Sequence, residues 1–289
     1  MEVNQRCRSG NNRTPRTRAL GNALREARLD RDIGLRQFVK DIGRDASLLS
    51  RWETGDRTPT PTDVAQILGK LGVKGERYDE IIELAYGTDD VRWVATTLPE
   101  QKAQLAALLD YERTATVVTD VSPLLVPGLL QTSDYARAIM TGGGVPTSDV
   151  STRVAIRMGR REDMNRRGST KFVALVGEAA LRQLIGDRPT MVGQLAFLLE
   201  MAELAHIEIR VLPFDSGWHP GLINGSLMIE SEVQPPAVYL EIGDSGLFLH
   251  TRPDVVFYRQ VVDRVTTCAM SPEDSLAIIA LAKAGWESA

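Results

Sequence analysis

The first ninety residues carry five short apolar stripes, each with the three- and four-residue spacing of an amphipathic helix. Residues at that spacing lie on one face of a helix, so each stripe predicts a helix that buries one side. The stripes are Leu20, Ala23, Leu24 and Ala27; Leu35, Phe38, Val39 and Ile42; Leu48, Leu49 and Trp52; Val64, Ile67, Leu68 and Leu71; and Tyr78, Ile81, Ile82 and Ala85. Five helices this short predict a compact all-α module over residues 20–87.

Several residues predict where these helices begin and end. Gly43 and Gly55 end the second and third stripes, as glycine commonly does at a helix C-terminus. Asp45 is a favourable N-cap for the third helix, and TPTD at 60–63 is a strong start for the fourth. Arg28 is expected on the solvent side of the first helix.

Composition and length are those of a globular protein with room for two domains. The 289 residues are 43% hydrophobic and 25% charged, which is typical of folded proteins. No apolar run reaches the roughly 20 residues of a membrane-spanning helix. No apolar stretch follows the basic start, so neither a secretory signal nor a membrane partner is expected. Cys7 and Cys268 do not indicate a disulfide framework, so the cytoplasm is the expected location.

Charge is distributed unevenly along the chain. Residues 1–87 hold 16 basic and 13 acidic side chains, the rest holds 18 and 25, and the net charge is −4. Because residues 1–87 have a net positive charge, the net negative charge of the whole chain does not argue against nucleic-acid binding by this part. Residues 1–19 contain five arginines and one glutamate. They predict a disordered basic arm, and an arm lying along the minor groove or the phosphates of DNA is the alternative.

The third helix, predicted at 45–54, has two chemically different faces. Leu48, Leu49 and Trp52 share one face, which must pack on the first two helices. The opposite face carries small or polar side chains and one guanidinium, at Ala46, Ser47, Ser50 and Arg51. Such a face fits the major groove of DNA, which is about 12 Å wide. We therefore assign these four residues to base edges, with Arg51 donating to O6 and N7 of guanine.

Residues around the third helix are assigned to backbone phosphates, which position a helix without reading sequence. Arg57 follows the helix end at Gly55, where its side chain can reach a phosphate. The same role is assigned to Leu35, Gln37 and Thr54. An amphipathic helix with a merely solvated face is the alternative, and the glycine spacing and the four flanking helices favour DNA binding over it.

The run from Phe38 through Gly43 to Trp52, with the exit SRWETGDRTPTP, resembles the helix-turn-helix of the xenobiotic-response-element, or phage-repressor-like, family. That family's segment ends in S-R-[apolar]-E-x-G-x-R-x-P, and the resemblance implies a DNA-binding transcriptional regulator. Val39 stands where the family usually has alanine, so crowding between the second and third helices is expected. Gly34 replaces a serine or threonine cap, which weakens the second helix by about a few tenths of a kcal/mol.

Residues 92–284 predict a larger mixed α/β domain after the polar segment 87–90. β-Branched runs predict strands at 115–121, 171–176, 207–212, 226–229, 237–242 and 247–250. Helical spacing and capping residues predict helices at 98–113, 135–140, 150–167, 178–185, 190–205, 254–267 and 272–284. Strands interleaved with helices, two of them able to pair as a hairpin, predict a mixed sheet. The chain is therefore assigned to the α+β class.

The segments PLLVPGLLQTSDYARA (123–138) and VLPFDSGWHPG (211–221) resemble a C-terminal domain found in many actinobacterial regulators. The resemblance extends over about residues 92–284. It implies an antitoxin-like or developmental transcriptional regulator, often encoded beside a small partner protein, and it implies no catalysis.

No group of residues has the composition of an active site or a metal site, so neither catalysis nor a cofactor is expected. GDSG at 243–246 is similar to the nucleophile loop of trypsin-like proteases, and a hairpin turn is the preferred interpretation. Trp218 and His219 lie on a glycine- and proline-rich loop, which is either an ordinary surface loop or the lining of a small pocket. The arginine-rich helix 150–167 is expected to present a solvated face, with a nucleic-acid surface or an acidic partner as alternatives.

Together these features predict a sequence-specific transcriptional regulator that binds double-stranded DNA. One helix-turn-helix makes few contacts, so a homodimer on repeated half-sites is expected. The C-terminal domain is assigned to an effector or a small partner protein. The alternative is an antitoxin-type protein that mainly sequesters its partner, with DNA binding secondary. An enzyme carrying a repressor domain is the weakest hypothesis.

Overall fold

The structure, a computed structural model, describes residues 14–86, 92–95, 98–167, 170–242 and 245–288. The chain forms two compact units. The first comprises Met1–Asp110 and Ile242–His250, and the second comprises Tyr111–Glu241 and Thr251–Ala289. The domain bounds that the sequence predicts, 20–87 and 92–284, stay a prediction. None of the helices in the described ranges is long and apolar enough to cross a membrane.

Five helices come first in the chain, and strands interleaved with helices follow, which confirms the predicted fold class. The helices are α1 (Pro15–Leu29), α2 (Leu35–Ile42), α3 (Ala46–Glu53), α4 (Pro61–Lys70), α5 (Glu76–Ala85), α6 (Leu98–Thr114), α7 (Ser133–Gly142), α8 (Thr147–Arg167), α9 (Glu178–Arg182), α10 (Arg188–Met201), α11 (Arg252–Cys268) and α12 (Pro272–Ser288). The strands are β1 (Arg92–Val94), β2 (Val117–Ser122), β3 (Lys171–Gly177), β4 (Ile207–Leu212), β5 (Ser226–Glu230), β6 (Ala237–Ile242) and β7 (Ser245–Leu249).

Helix α1 begins at Pro15 rather than near Leu20, where its apolar stripe starts. The Thr14 hydroxyl accepts the backbone N–H of Thr17 at 3.1 Å, and the Thr17 hydroxyl accepts the backbone N–H of Thr14 at 2.9 Å. This reciprocal cap and a proline in the first turn start the helix. Residues 14–19 are therefore ordered and do not belong to a basic arm. Residues 1–13, the rest of the predicted arm, lie outside the described residues.

The predicted caps that delimit α2, α3 and α4 are confirmed. Gly43 ends α2 in the left-handed conformation at φ 64°, which glycine adopts without a Cβ penalty. The Asp45 carboxylate accepts the backbone N–H two residues on at 2.7 Å and starts α3. Thr60 and Asp63 form a capping box at the start of α4. Gly34 gives α2 no side-chain cap, as expected for a residue without a side chain.

The apolar stripes meet in the core of the first unit. Among its fully buried side chains are Leu20, Leu24, Phe38, Leu49, Leu68 and Ile81. In the same unit, β1 pairs antiparallel with β7, with Trp93 opposite Phe248. The Gln104 amide of α6 donates to the backbone oxygens of Trp93 at 2.8 Å and Gly246 at 3.0 Å. These bonds hold α6 on the two strands.

The strands of the second unit lie in the order β6-β5-β2-β3-β4. β2 and β4 are both parallel to β3. Parallel neighbours need crossover connections, which α7 with α8 and α9 with α10 provide. β5 is antiparallel to β2 and to β6. The sheet packs on α11 through a buried cluster of Val121, Leu175, Leu212, Val261 and Val265.

Strands β1 and β7 differ from what the sequence predicts. Strand β1 was not predicted, because three residues are too few to show the alternation of a strand. Within the predicted turn 243–246, Ser245 and Gly246 belong to β7. Gly243 and Asp244 lie outside the described residues.

Gly21 lies where α1 comes close to the end of α3. A Cβ atom there would be 2.6 Å from the carbonyl oxygen of Trp52 and 2.8 Å from that of Glu53. We expect Gly21→Ala to destabilise the first unit by about 1–3 kcal/mol, because backbone must move. Gly69→Ala in α4 is the matched control, since a Cβ there meets nothing within 4 Å. Urea unfolding of the full-length variants measures both, and equal effects would contradict the close approach.

Candidate nucleic-acid interface

Helix α3 has the orientation that the sequence predicts. Trp52 is 4% exposed and Leu49 is fully buried, whereas Ser47, Ser50 and Arg51 are exposed. The two borders of this face are half-buried residues, Ala46 and Leu48. The hydroxyls and the guanidinium of α3 therefore point into solvent. Contact of these side chains with DNA stays a prediction.

A buried ion pair joins α1 to the end of α3. Arg28 Nε donates to Glu53 Oε1 at 2.7 Å, and its Nη2 donates to Glu53 Oε2 at 2.7 Å. The two side chains are 6% and 5% exposed. Hydrogen bonding to Glu53 raises the pKa of Arg28 above its usual value, against the lowering by burial. A two-pronged pair of this geometry fixes the direction of both side chains.

The expectation that Arg28 faces solvent is wrong. Its Nη1 also donates to the backbone oxygen of Ile33 at 2.6 Å, so three bonds draw the guanidinium inward. An arginine with its charge paired and its N–H groups bonded can be buried, and helical spacing alone does not reveal the acceptors. Its partner Glu53 also has a structural role that the sequence alone does not predict.

Two arginines that the sequence reading placed in the basic arm are internal to the first unit. Arg16 donates to the carbonyl oxygens of Glu83 at 3.0 Å and Leu84 at 3.3 Å, at the end of α5. Its Nη2 is also 3.1 Å from a carboxylate oxygen of Glu100 in α6. Arg18 forms an ion pair with Asp110 in α6. Their charges hold α1 on α5 and α6, so the exposed cations of this unit come from elsewhere.

The residues assigned to phosphates lie at the start of α2 and just after α3. Gln37, Thr54 and Arg57 are exposed, and Leu35 is half-buried at the start of α2. The Thr54 hydroxyl donates to a carboxylate oxygen of Asp56 at 2.8 Å. Leu35 has an apolar side chain, so only its backbone N–H is suited to a phosphate. Phosphate contacts at these four positions stay a prediction.

One further cation at this surface was missed by the sequence reading. Arg44 lies between Gly43 and the cap of α3, and its Nη2 donates to Asp63 Oδ1 at 2.6 Å. Its guanidinium carbon is 6.0 Å from the centre of the Trp52 ring. The only signal in the sequence is its position directly before the cap residue. That signal does not distinguish a ligand-binding arginine from a solvated one.

Trp218 and His219, the predicted pocket residues of the second unit, lie in different environments. Trp218 is 69% exposed, whereas His219 is 1% exposed. The Nδ1 atom of His219 has no hydrogen-bond partner among the described residues. Burial lowers the pKa of this imidazole, which favours its neutral form. The structure does not place the two side chains on one surface, and the pocket stays a prediction.

Three arginines of α8 are bonded within the second unit rather than solvated, whereas Arg153 of the same helix is exposed as expected. Arg160 forms a two-pronged pair with Glu112 of α6, at 3.0 and 2.6 Å. Arg157 donates to the side-chain oxygen of Gln131 at 2.7 Å, and Arg161 donates to its backbone oxygen at 3.0 Å. These acceptors come from distant parts of the chain, so the charge pattern of one helix could not reveal them.

A half-buried carboxyl group lies in the same polar region as the α8 arginines. Asp120 of β2 is opposite Leu227, which is opposite Tyr239 of β6, so Asp120 and Tyr239 share one face of the sheet. Burial, followed by the charge of Glu241, raises the pKa of Asp120 to about 7, and Arg160 opposes this shift. Burial, followed by Glu241, raises the pKa of Tyr239 to about 12. Asp120 therefore changes its charge near neutral pH.

The serine of the motif that is similar to a protease loop is hydrogen-bonded to the backbone of the first unit. The Ser245 hydroxyl donates to the carbonyl oxygen of Ala95 at 2.5 Å, where it serves the packing of the first unit. Asp244 lies outside the described residues. Within the residues that the structure describes, no group of three or more histidine, cysteine, aspartate or glutamate side chains could hold a metal ion.

Comparison with known proteins separates the chain into two matched regions. Residues 19–81 match a helix-turn-helix domain. Residues 105–280 match the family model described as a domain of unknown function, DUF5753. No curated protein matches the chain. No solved structure matches it either.

The buried pair of Arg28 and Glu53 predicts a large effect of removing one charge. We expect Glu53→Gln to destabilise the first unit by about 2–4 kcal/mol, because an arginine is then left buried without its counter-ion. Glu80→Gln is the control, since Glu80 pairs at 3.4 Å with Arg77, whose side chain is 47% exposed. Such a pair contributes about 1 kcal/mol or less. Urea unfolding compares the two variants, and similar losses would contradict the structural role of Glu53.

Proposed function

Because the chain belongs to the DUF5753 family and carries a helix-turn-helix domain ahead of that region, we propose that it is a sequence-specific DNA-binding transcriptional regulator. The xenobiotic-response-element class is proposed for its helix-turn-helix, and the cytoplasm for its location. The observation that carries the proposal is the orientation of α3, with Trp52 buried and Arg51 exposed.

Recognition is proposed to occur by insertion of α3 into the major groove. A helix enters this groove with its polar face toward the base edges, and α3 presents Ser47, Ser50 and Arg51 on that face. Ala46 at the border of the face is small enough to allow close approach. Gln37, Thr54 and Arg57 are proposed to hold the neighbouring phosphates, which set the depth and angle of the helix.

A homodimer is proposed as the DNA-bound form. Each chain contributes one α3, and one such helix reads only a few base pairs. Two copies on half-sites about one helical turn apart provide the specificity that one copy lacks. The second unit is proposed to bind an effector or a partner, without catalysis.

Arg51 and Arg57 are predicted to contribute differently to binding. Arg51→Ala should cost about 1–3 kcal/mol on the specific site and flatten the base preference, because bonds to a base edge are lost. Arg57→Ala should weaken binding to all sequences alike and reduce the salt dependence, because a phosphate contact is lost. Selection of bound duplexes from a random pool, at two salt concentrations, measures both effects.

The contrast between the two variants tests the assignment of the α3 face. Arg31→Ala is a control of equal charge change, because Arg31 is exposed after α1 and donates to the backbone oxygen of Gly72. Uniform losses for both Arg51→Ala and Arg57→Ala would show that Arg51 does not read bases. A random pool that yields no preferred sequence would contradict the regulator itself.

A second candidate function is an antitoxin-type protein that sequesters a small partner, with DNA binding secondary. The observation in its favour is an apolar surface on the loop between β4 and β5. Four large side chains of this loop are more than half exposed: Phe214, Trp218, Leu222 and Ile223. Clustered exposed apolar side chains often mark a protein-binding surface.

The two candidates differ in their main ligand. The antitoxin-type function predicts a complex with one small protein at a near one-to-one ratio, and feeble affinity for any selected duplex. It also predicts that Trp218→Ser weakens the complex while leaving DNA affinity unchanged. Tight specific DNA binding by the chain alone, with no small protein at that ratio, would favour the regulator.

A further inference from the structure

We infer that Arg44 is a phosphate-binding residue of the helix-turn-helix surface. In the absence of DNA, the carboxylate of Asp63 pairs with the Arg44 guanidinium in place of a phosphate. The inference rests on the proposed DNA-binding function and adds to it a contact at the turn before α3. Nothing in the matched regions assigns a role to either residue.

The position of Arg44 is suited to a phosphate next to the recognition helix. It precedes Asp45, the cap of α3, and its backbone N–H donates to the carbonyl oxygen of Val39 at 3.1 Å. Its backbone is thereby fixed in the turn between α2 and α3. Ser47, in the first turn of α3, is exposed on the proposed DNA-facing side. A phosphate beside the start of α3 therefore lies within reach of the Arg44 side chain.

The guanidinium of Arg44 is bonded to Asp63 but has further N–H donors that are not used in this bond. Its side chain is 41% exposed, whereas that of Asp63 is 18% exposed. Arginine has five N–H donors, and within the described residues one of them makes a hydrogen bond, the 2.6 Å bond from Nη2 to Asp63. Because 41% of the side chain is exposed, the remaining donors are accessible to an oxyanion, which an arginine can bind with two bonds.

The pair differs from the buried pair of Arg28 and Glu53 in the same unit. That pair uses two parallel hydrogen bonds, and both of its side chains are about 5% exposed. Arg44 and Asp63 share one bond at the surface, where ion pairs contribute about 1 kcal/mol or less. A DNA phosphate carries a full charge and several acceptor oxygens, so it can replace Asp63 at low cost. Arg28 cannot exchange Glu53 for a phosphate in this way, because its side chain is buried.

Asp63 keeps its structural role when Arg44 leaves. Its Oδ2 accepts the hydroxyl of Thr60 at 2.7 Å and the backbone N–H of Thr60 at 3.2 Å, which caps α4. These bonds use the oxygen that does not contact Arg44. Release of the guanidinium therefore leaves the start of α4 intact, and the exchange of partners needs no movement of a helix.

The experiment measures binding of the full-length chain to a duplex of mixed sequence by fluorescence anisotropy, over a series of salt concentrations. Arg44→Gln should lower affinity roughly three- to tenfold at low salt and reduce the slope of log affinity against log salt by about one. Asp63→Asn should raise affinity roughly two- to fivefold, because the guanidinium is freed. The gain should vanish when both changes are combined.

Two controls separate release of Arg44 from a change in net charge or folding. Glu80→Gln makes the same change in net charge at a carboxylate that pairs with Arg77 and Lys102, outside the proposed interface. An equal gain for Glu80→Gln overturns the inference, as does a gain of Asp63→Asn that persists in the Arg44→Gln background. If Arg44 only braced the fold, Asp63→Asn would weaken binding. The sign of that effect therefore decides between a phosphate site and a brace.

The results also separate this inference from the proposed function. A chain without base preference whose variants follow the predicted pattern has the phosphate site but is not a sequence-specific regulator. If the chain shows a base preference but Asp63→Asn does not raise its DNA affinity, the proposed function stands and the phosphate site at Arg44 is overturned. Absence of binding to any duplex overturns both.

Discussion

The orientation of α3 depends on the ion pair between Arg28 of α1 and Glu53 of α3. An eight-residue helix has few contacts with which to define its rotation about its own axis. Two parallel bonds to a buried carboxylate at its last turn, together with the burial of Trp52, fix that rotation. The absence of a side chain at Gly21 lets α1 approach closely enough for the pair to form. The exposed face of α3 is a consequence of these contacts.

Local signals in the sequence were sufficient to predict the first five helices and to identify the exposed face of α3. Apolar spacing identified the buried side, and residues such as Asp45 and Gly43 marked the ends of helices through hydrogen bonds within a few residues. In the second unit, β-branched runs located most strands. These features depend on neighbours in the chain, which is why the sequence alone could predict them.

Local signals could not predict the roles of several arginines, because these roles depend on acceptors that are distant in the sequence. Arg16 and Arg28 look like surface cations in the sequence, yet their acceptors lie at distant positions such as Leu84 and Glu53. Arg160 of α8 is bonded to Glu112 in the same way. The pairing partners of the strands, and the parallel direction of β2, β3 and β4, are likewise set by contacts between distant segments. Charge counts therefore overstate the cations that are available to DNA.

Chemical protection of a selected duplex against dimethyl sulfate tests the central claim most directly. This reagent methylates guanine N7 in the major groove and adenine N3 in the minor groove. The wild-type chain is expected to protect guanine N7 within each half-site, because α3 is proposed to occupy the major groove there. Protection confined to adenine N3, with every guanine N7 still reactive, would contradict the proposed role of α3.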